Sequence, residues 1–252
     1  MSKEASELRW RRRSFGATAN EYHRYRPEYP AAIIDAIVAL RHGRGNPKVL
    51  DLGAGTGLMS AAIRDQGLDV VALEPDERMH DVLGTVVGPD SALIGSAEEI
   101  PLPNQSVDVV IAAQMWHWVD PARGLPEVAR VLRPGGVFAI VWNLRDDRVD
   151  WVRQHSQRID LMDTYSQFDD SRVPSFGEYF GSSELIEVDH GHPMDADRLV
   201  GLLRTHSLLI LRGELDQMEA ETRRLVAEHP DLQGNDEFEL PYVCKAFVAR
   251  RA

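Results

Sequence analysis

Asp51, Gly53, Gly55 and Gly57 stand at alternate positions in "VLDLGAGTG", where an apolar, strand-like run gives way to a helical pattern. A glycine loop at such a junction brings backbone amides close to a ligand and points a helix N-terminus at it. Three chemistries compete for that loop. A triphosphate-binding loop ends in Gly-Lys-Ser/Thr, whereas Gly57 is followed by Leu58 and Met59. A dinucleotide fingerprint reads Gly-x-Gly-x-x-Gly, and Leu58 occupies the place of its third glycine. The acid at the strand end repels a pyrophosphate and suits a cationic or amine-bearing ligand instead. Glu74 ends the next apolar run, "DVVALEP", where an acid can accept hydrogen bonds from both hydroxyls of a ribose.

The elements that must position these residues follow from the pattern along the chain. From Pro30 to Asn143 helix and strand signals alternate: "PAAIIDAIVAL" is a helix, "PKVLDLG" a strand, and "LMSAAIRDQG" a helix capped at Gly67. "DVVALEP", "SALIGSA", "SVDVVIAA" and "VFAIVWN" are further strands, with "DERMHDVLG" and "DPARGLPEVARVL" as helices. Asp120 is the N-cap expected for the last of these, Pro126 predicts a kink or late start, and "RPGG" reads as a turn. Strands separated by crossover helices imply a parallel sheet covered on both faces. Beyond Asn143, "DWVRQHSQRIDLM", "DRLVGLLRTHSLLI" and "LDQMEAETRRLVAEH" read as helices, with Leu199, Leu202, Leu203, Leu209 and Ile210 forming an apolar stripe. "SELIEVDH" and "ELPYVCKAFVARR" alternate as two more strands. With the last strand so late in the sequence, the whole chain, 1–252, is expected to be one α/β domain. Residues 1–29 would be a lid segment, 30–143 a binding core, 144–236 a helical cover including the sixth strand, and 237–252 the last strand.

Composition narrows the function. Hydrophobic residues make up 43% of the 252 positions and charged residues 27%, as in a soluble globular protein. No apolar run approaches the ~20 residues of a membrane span, and "MSKEASELRWRRRSFG" lacks the apolar core of a signal peptide, so a cytoplasmic location is expected. A net charge of −12 argues against general affinity for nucleic acid. The exception is Arg9 to Arg13 around Trp10, read as a solvated terminus or a nucleic-acid arm. One cysteine, Cys244, excludes an internal disulfide. "HGH" at His190–His192 lacks a third ligand, so no metal is expected.

Several segments in order carry a resemblance: "VLDLGAGTG", "VVALEPDERM", "GSAEEIPLPNQSVDVV", "HWVDPARGLPEVARVLRPGG" and "FGATANEYHRYRPEYP". Together they resemble the class I S-adenosylmethionine-dependent methyltransferases, in the small-molecule branch called methyltransferase type 11. The resemblance is strong over about Phe15 to Asn143 and weak beyond. It implies a Rossmann-like, seven-stranded, mostly parallel sheet of order 3-2-1-4-5-7-6, with a C-terminal antiparallel hairpin and a helical cover. The implied cofactor is S-adenosyl-L-methionine, leaving as S-adenosyl-L-homocysteine, and the implied partner is a small-molecule methyl acceptor.

The resemblance also distributes roles. Asp51 would face the cofactor's amino group, and Gly53, Ala54, Gly55 and Gly57 would approach its carboxylate end. Glu74 would hold the ribose, with Pro75 and Met79 walling the adenosine and Ser96, Ala97 and Glu98 beside the adenine. Many relatives carry Asp where this chain has Ser96, a weaker acceptor. Tyr22 and Arg26 would fold over the cofactor, and Gln114 would touch its amino-acid end. Methyl transfer is an in-line displacement needing alignment and exclusion of water, and at most a base. His117 is the candidate base, or else a residue that places Trp116 and Trp118 against the acceptor. Arg145 either binds an anionic acceptor or pairs with Asp146 and Asp147. Two rivals remain at the level of sequence: a nicotinamide oxidoreductase, and a catalytically silent cofactor-binding regulator.

Overall fold

The short apolar run ending in Asp51 is strand β1, Lys48–Leu52, buried on both faces because it lies mid-sheet. The computed structural model describes residues 19–159, 175–205 and 214–251. Parallel strands flank β1: β2 (Asp69–Glu74) with β3 (Ala92–Ile94) on one side, β4 (Val107–Ala113) with β5 (Leu132–Arg145) on the other. Then β7 (Phe238–Arg251) runs antiparallel between β5 and the edge strand β6 (Phe180–Met194). The order β3-β2-β1-β4-β5-β7-β6 is the one the resemblance implies.

Helices α1 (Ala19–Tyr25), α2 (Ala31–Ala39), α3 (Leu58–Asp65) and α4 (Glu77–Val87) come from the first half of the chain. Ile33, Ile34 and Ile37 of α2 and Met59 and Ile63 of α3 pack on Val49, Ile111, Ala139 and Val141. Helix α5 (Pro121–Val131) covers the opposite face, setting Leu125 and Val128 against Leu50, Val110 and Phe138. Burying one such side chain stabilises by roughly 1.5–3 kcal/mol, so both layers are needed. Past β5 come α6 (Asp150–Arg158), α7 (Ala196–Leu203) and α8 (Leu215–Glu228). A cluster of Trp151, Val152, Leu199, Leu202 and Tyr242 ties α6 and α7 to β7.

Three local expectations need correction. "RPGG" is not a free turn: β5 begins at Leu132, and its first five steps to Val137 face only two of β4, Val107 to Val109. The extra residues form a bulge, which turns the chain from α5 without leaving the sheet. Pro126 does not delay α5, which starts at Pro121 under an Asp120 side chain accepting from the Ala122 amide. The third strand is only three residues long, because Gly95 and Ser96 leave the sheet toward a bridge between Ser96 and Glu99. The arginine cluster at 9–13 and the stripe residues Leu209 and Ile210 lie outside the described residues.

Register fixes which side chains share a face. Asp51 pairs with Ile111, Ile111 with Ala139, and Ala139 with Val248, so all four point to the α2–α3 side. Asn143 and Arg145, two and four residues beyond Val141, continue that face past the pocket end of the sheet.

Candidate functional site

The carboxyl ends of β1, β2 and β4 open into a cavity of about 690 Å³, the size of a small-molecule site. Asp51 is at its floor and 1% exposed. The Ser60 hydroxyl of α3 donates to Oδ2 at 2.5 Å, while Oδ1 is buried with no partner. Burial raises its pKa to about 7; the Ser60 hydrogen bond opposes the rise and the Glu74 charge adds to it. A buried acceptor without a donor costs roughly 1–3 kcal/mol, and such a vacancy suits an incoming ammonium group.

Glu74 ends β2 facing the same cavity. Its Oε2 accepts from the Gly55 amide at 2.8 Å and its Oε1 from the Asp76 amide at 2.9 Å. One carboxylate therefore joins the glycine loop to the turn before α4, and an ionised carboxylate keeps about two further acceptor sites. Burial lifts its pKa against the pull of the Asp76 and Gly55 amides.

Two of the loop glycines have different duties. Gly53 has φ 67°, and a Cβ there would lie 2.6 Å from Met115 Cε and 2.8 Å from its Cγ. Gly57, the N-cap of α3, has φ 90°, and its Cβ would meet Leu83 Cδ1 of α4 at 2.8 Å. The first lets the loop pass beneath Met115 at the cavity wall; the second lets α3 and α4 approach.

Of the residues singled out from sequence, Tyr22, Asp51, Gly53, Ala54, Gly55, Glu74, Pro75, Met79, Ser96, Ala97, Glu98, Gln114 and Trp118 line the cavity. Five do not. Gly57 sits behind it at the start of α3. The Arg26 guanidinium lies 4.9 Å from the Tyr22 ring centre and donates to the Thr205 carbonyl at 3.1 Å, which ties the segment after α1 to the end of α7. Trp116 is buried in the core, edge-on to Phe138 at 4.8 Å. His117 is exposed, its ring 4.6 Å from Trp118 and 5.2 Å from Trp142. Arg145 is buried beneath α6, its Nη1 2.7 Å from His155 Nδ1, while Asp146 pairs with Arg148 instead.

Sequence reasoning passed over Tyr29, Thr56 and Met115, all of which line the cavity. Tyr29 lies in the quoted "RPEYP" just before α2, and burial pushes its phenol well above the usual tyrosine range. It is therefore a neutral hydroxyl at ordinary pH. Thr56 meets His23 Nδ1 at 3.2 Å, tying helix α1 to the glycine loop. Gln114 adopts φ 58°, uncommon outside glycine, held by its amide to the Val141 carbonyl and its Nε2 to the Asn143 carbonyl, both at 2.8 Å. Such strain collects at functional sites. Asn143 also donates from Nδ2 to the Glu28 carbonyl at 3.1 Å, and its Oδ1 is 2.7 Å from His190 Nε2. One asparagine thus fastens the segment before α2 to the sheet and engages one histidine of "HGH". Among the described residues no group of three or more His, Cys, Asp and Glu could hold a metal ion. Nor is any described helix long and apolar enough to cross a membrane.

Residues 50–140 match the family described as a methyltransferase domain. The chain is 42% identical over 234 residues to an uncharacterized methyltransferase of Mycobacterium bovis, covering 91% of this chain and 92% of that one. An uncharacterized methyltransferase-like protein of Schizosaccharomyces pombe is 29% identical over 252 residues, covering 95% and 96%. Among solved structures, a type II methyltransferase from Anaeromyxobacter dehalogenans superposes with a TM-score of 0.63 at 25% identity, covering 90% of this chain and 97% of that one.

Proposed function

We propose that this chain, which belongs to the class I S-adenosylmethionine-dependent methyltransferases, acts on a small molecule. It transfers the methyl group to an oxygen, nitrogen or carbon by in-line displacement. S-adenosylmethionine is the cofactor, and its sulfonium supplies the electrophilic methyl group. Family membership argues against the nicotinamide oxidoreductase weighed from the sequence; product formation with an acceptor separates the enzyme from the silent regulator.

In this reading Asp51 takes the cofactor's ammonium group, and the observation that carries the reading is its buried, unpartnered Oδ1 on the cavity floor. Gly53 and Gly55 leave room for the amino-acid end, and Glu74 uses its remaining acceptor sites for the ribose hydroxyls. Pro75 and Met79 wall the adenosine, and Ser96, Ala97 and Glu98 border the adenine. Gln114 orients the amino-acid end. Tyr22, backed by Arg26, closes over the site, and Trp118 flanks the acceptor with the tilted His117 ring 4.6 Å behind it. His117 acts through Trp118, since it does not reach the cavity lining. Alignment and exclusion of water then do most of the work.

The whole chain acts as one domain, its cover, residues 144–236, facing the acceptor. To test the class of acceptor, methyl-labelled S-adenosylmethionine is incubated with the protein and separated small-molecule, protein and RNA pools. Label entering the small-molecule pool is expected; label confined to protein or RNA would overturn the proposal.

A further inference from the structure

The segment 96–104, between β3 and β4, carries three residues of the cavity lining, Ser96, Ala97 and Glu98. Its Pro101 and Pro103 have no amide hydrogen, which leaves the segment short of donors of its own. Helix α5 supplies partners instead. All five N–H bonds of Arg130 find acceptors. Nε and Nη2 fork the Glu127 carboxylate, at 2.7 Å to Oε1 and 2.8 Å to Oε2. Nη2 also donates to the Ile100 carbonyl at 2.8 Å, and Nη1 to the Leu102 carbonyl at 2.7 Å and to Asn104 Oδ1 at 3.0 Å. Glu127 Oε2 in turn accepts from the Ile100 amide at 2.8 Å. The Arg130 hydrogen bond holds the Glu127 carboxyl below the usual carboxylate range, so the pair is ionised at neutral pH.

This anchorage reaches the cavity. The Glu99 amide donates to the Ser96 carbonyl at 3.2 Å and the two residues form a bridge, so 96–99 is one tight turn. At its base Pro101 lies against Gly95, where a Cβ would be 3.1 Å from Pro101 Cδ. At its tip Glu98 Oε1 accepts from the amide of Asp120, the N-cap of α5, at 3.2 Å. Ala97 and Ile100 are buried in one cluster with Leu125 and Val128 of α5. One helix therefore holds the turn at tip, flank and base, while Glu127 and Arg130 themselves lie outside the cavity lining. A partly exposed ion pair adds little stability on its own. A guanidinium and a carboxylate committed to one loop are instead what a supporting shell needs to fix a recognition edge.

We propose that Glu127 and Arg130 are positioning residues that set the cofactor's base specificity, by fixing the turn whose polar groups tell adenine from other purines. This rests on the reading that Ser96, Ala97 and Glu98 border the adenine. Adenine presents a donor amino group beside an acceptor ring nitrogen, and hypoxanthine presents the reverse. Only polar groups held in place separate the two, because a loop free to shift can present a donor or an acceptor to either.

The test is calorimetric titration of wild type, Glu127→Gln and Arg130→Lys with S-adenosylhomocysteine and with S-inosylhomocysteine, in which hypoxanthine replaces adenine. Glu127→Gln leaves one acceptor oxygen where the carboxylate has two and turns an amide group on the guanidinium. Arg130→Lys keeps the charge, but an ammonium cannot span Glu127, Ile100, Leu102 and Asn104 together. The wild type should prefer the adenine ligand by about tenfold or more. Each variant should lose most of that preference while still unfolding cooperatively, with faster amide exchange over 96–104. A role in stability alone would lower the thermal midpoint and leave the ratio of the two affinities unchanged. That unchanged ratio in both folded variants would overturn the proposal, as would loss of folding in both. Equal binding of the two ligands by the wild type would contradict the adenine reading itself and the proposal with it. Failure of the wild type to bind either would sink the methyl-transfer reading as well.

Discussion

At the residue scale the site depends on one carboxyl group kept in an unfavourable setting. Asp51 has a pKa of about 7 because burial outweighs the Ser60 hydrogen bond. A folded-state value raised above the ordinary carboxylate value means the group contributes stability at low pH and loses it as pH rises. The ligand-free protein should therefore lose stability between about pH 4 and 7 on this account, and Asp51→Asn should raise the thermal midpoint at pH 8. If Asp51 takes the cofactor's ammonium group as proposed, cofactor binding has the opposite dependence, because that contact needs the ionised form. S-adenosylhomocysteine affinity should fall about tenfold per pH unit below pH 7, and Asp51→Asn should flatten that profile. Titrations at pH 8, 6 and 5 check both statements. Stability sacrificed for a ligand is the usual compromise of binding sites.

At the element scale the glycine loop, α1 and α4 are held by a few named contacts. Gly57→Ala would drive a Cβ into Leu83 Cδ1 and place alanine at φ 90°. A loss of roughly 1–3 kcal/mol in unfolding free energy is expected, read by urea denaturation. Gly53→Val should instead act mainly on binding, because its side chain would meet Met115 at the cavity wall. At least tenfold weaker S-adenosylhomocysteine binding is expected, about 1.4 kcal/mol. Thr56→Val removes the His23 contact and should loosen α1, seen as faster amide exchange over Ala19–Tyr25 with the core unchanged.

Much of this was legible in the sequence because its determinants are local. The Asp51 acid, the alternate glycines and the Asp120 cap each act within a few residues of themselves. What escaped was set by distant partners. Trp116 reads like a site residue beside His117, but Phe138 on β5 claims it for the core. Arg145 has two acids beside it in sequence, yet among the described residues it hydrogen-bonds His155 on α6 instead. Tyr29 looks like part of a stiff proline-flanked linker until α2 turns it into the cavity. The "RPGG" segment has turn chemistry, and pairing with β4 drew it into a bulge.

At the scale of the whole molecule, chain order and sheet order part company at the end that matters for stability. Strand β7, the last in sequence, lies between β5 and β6, and its Cys244, Ala246, Phe247 and Val248 are all buried. Burial raises the Cys244 thiol pKa to about 12, which keeps it an unreactive part of the core. Deleting residues 238–252 should therefore abolish cooperative thermal unfolding, whereas loss of a peripheral strand would leave a sharp transition. The same arrangement anchors the helices past β5: residues of α6 and α7 cluster with Leu240 and Tyr242 of β7.

The central claim is that the cavity over β1 and β2 holds the cofactor by its ammonium group and ribose. Its most direct measurement is calorimetric titration of wild-type protein and Asp51→Asn with S-adenosylhomocysteine at pH 8. Saturable one-to-one binding by the wild type, weakened at least tenfold in a variant that remains folded, is the expected result. Equal affinity for both proteins would contradict it.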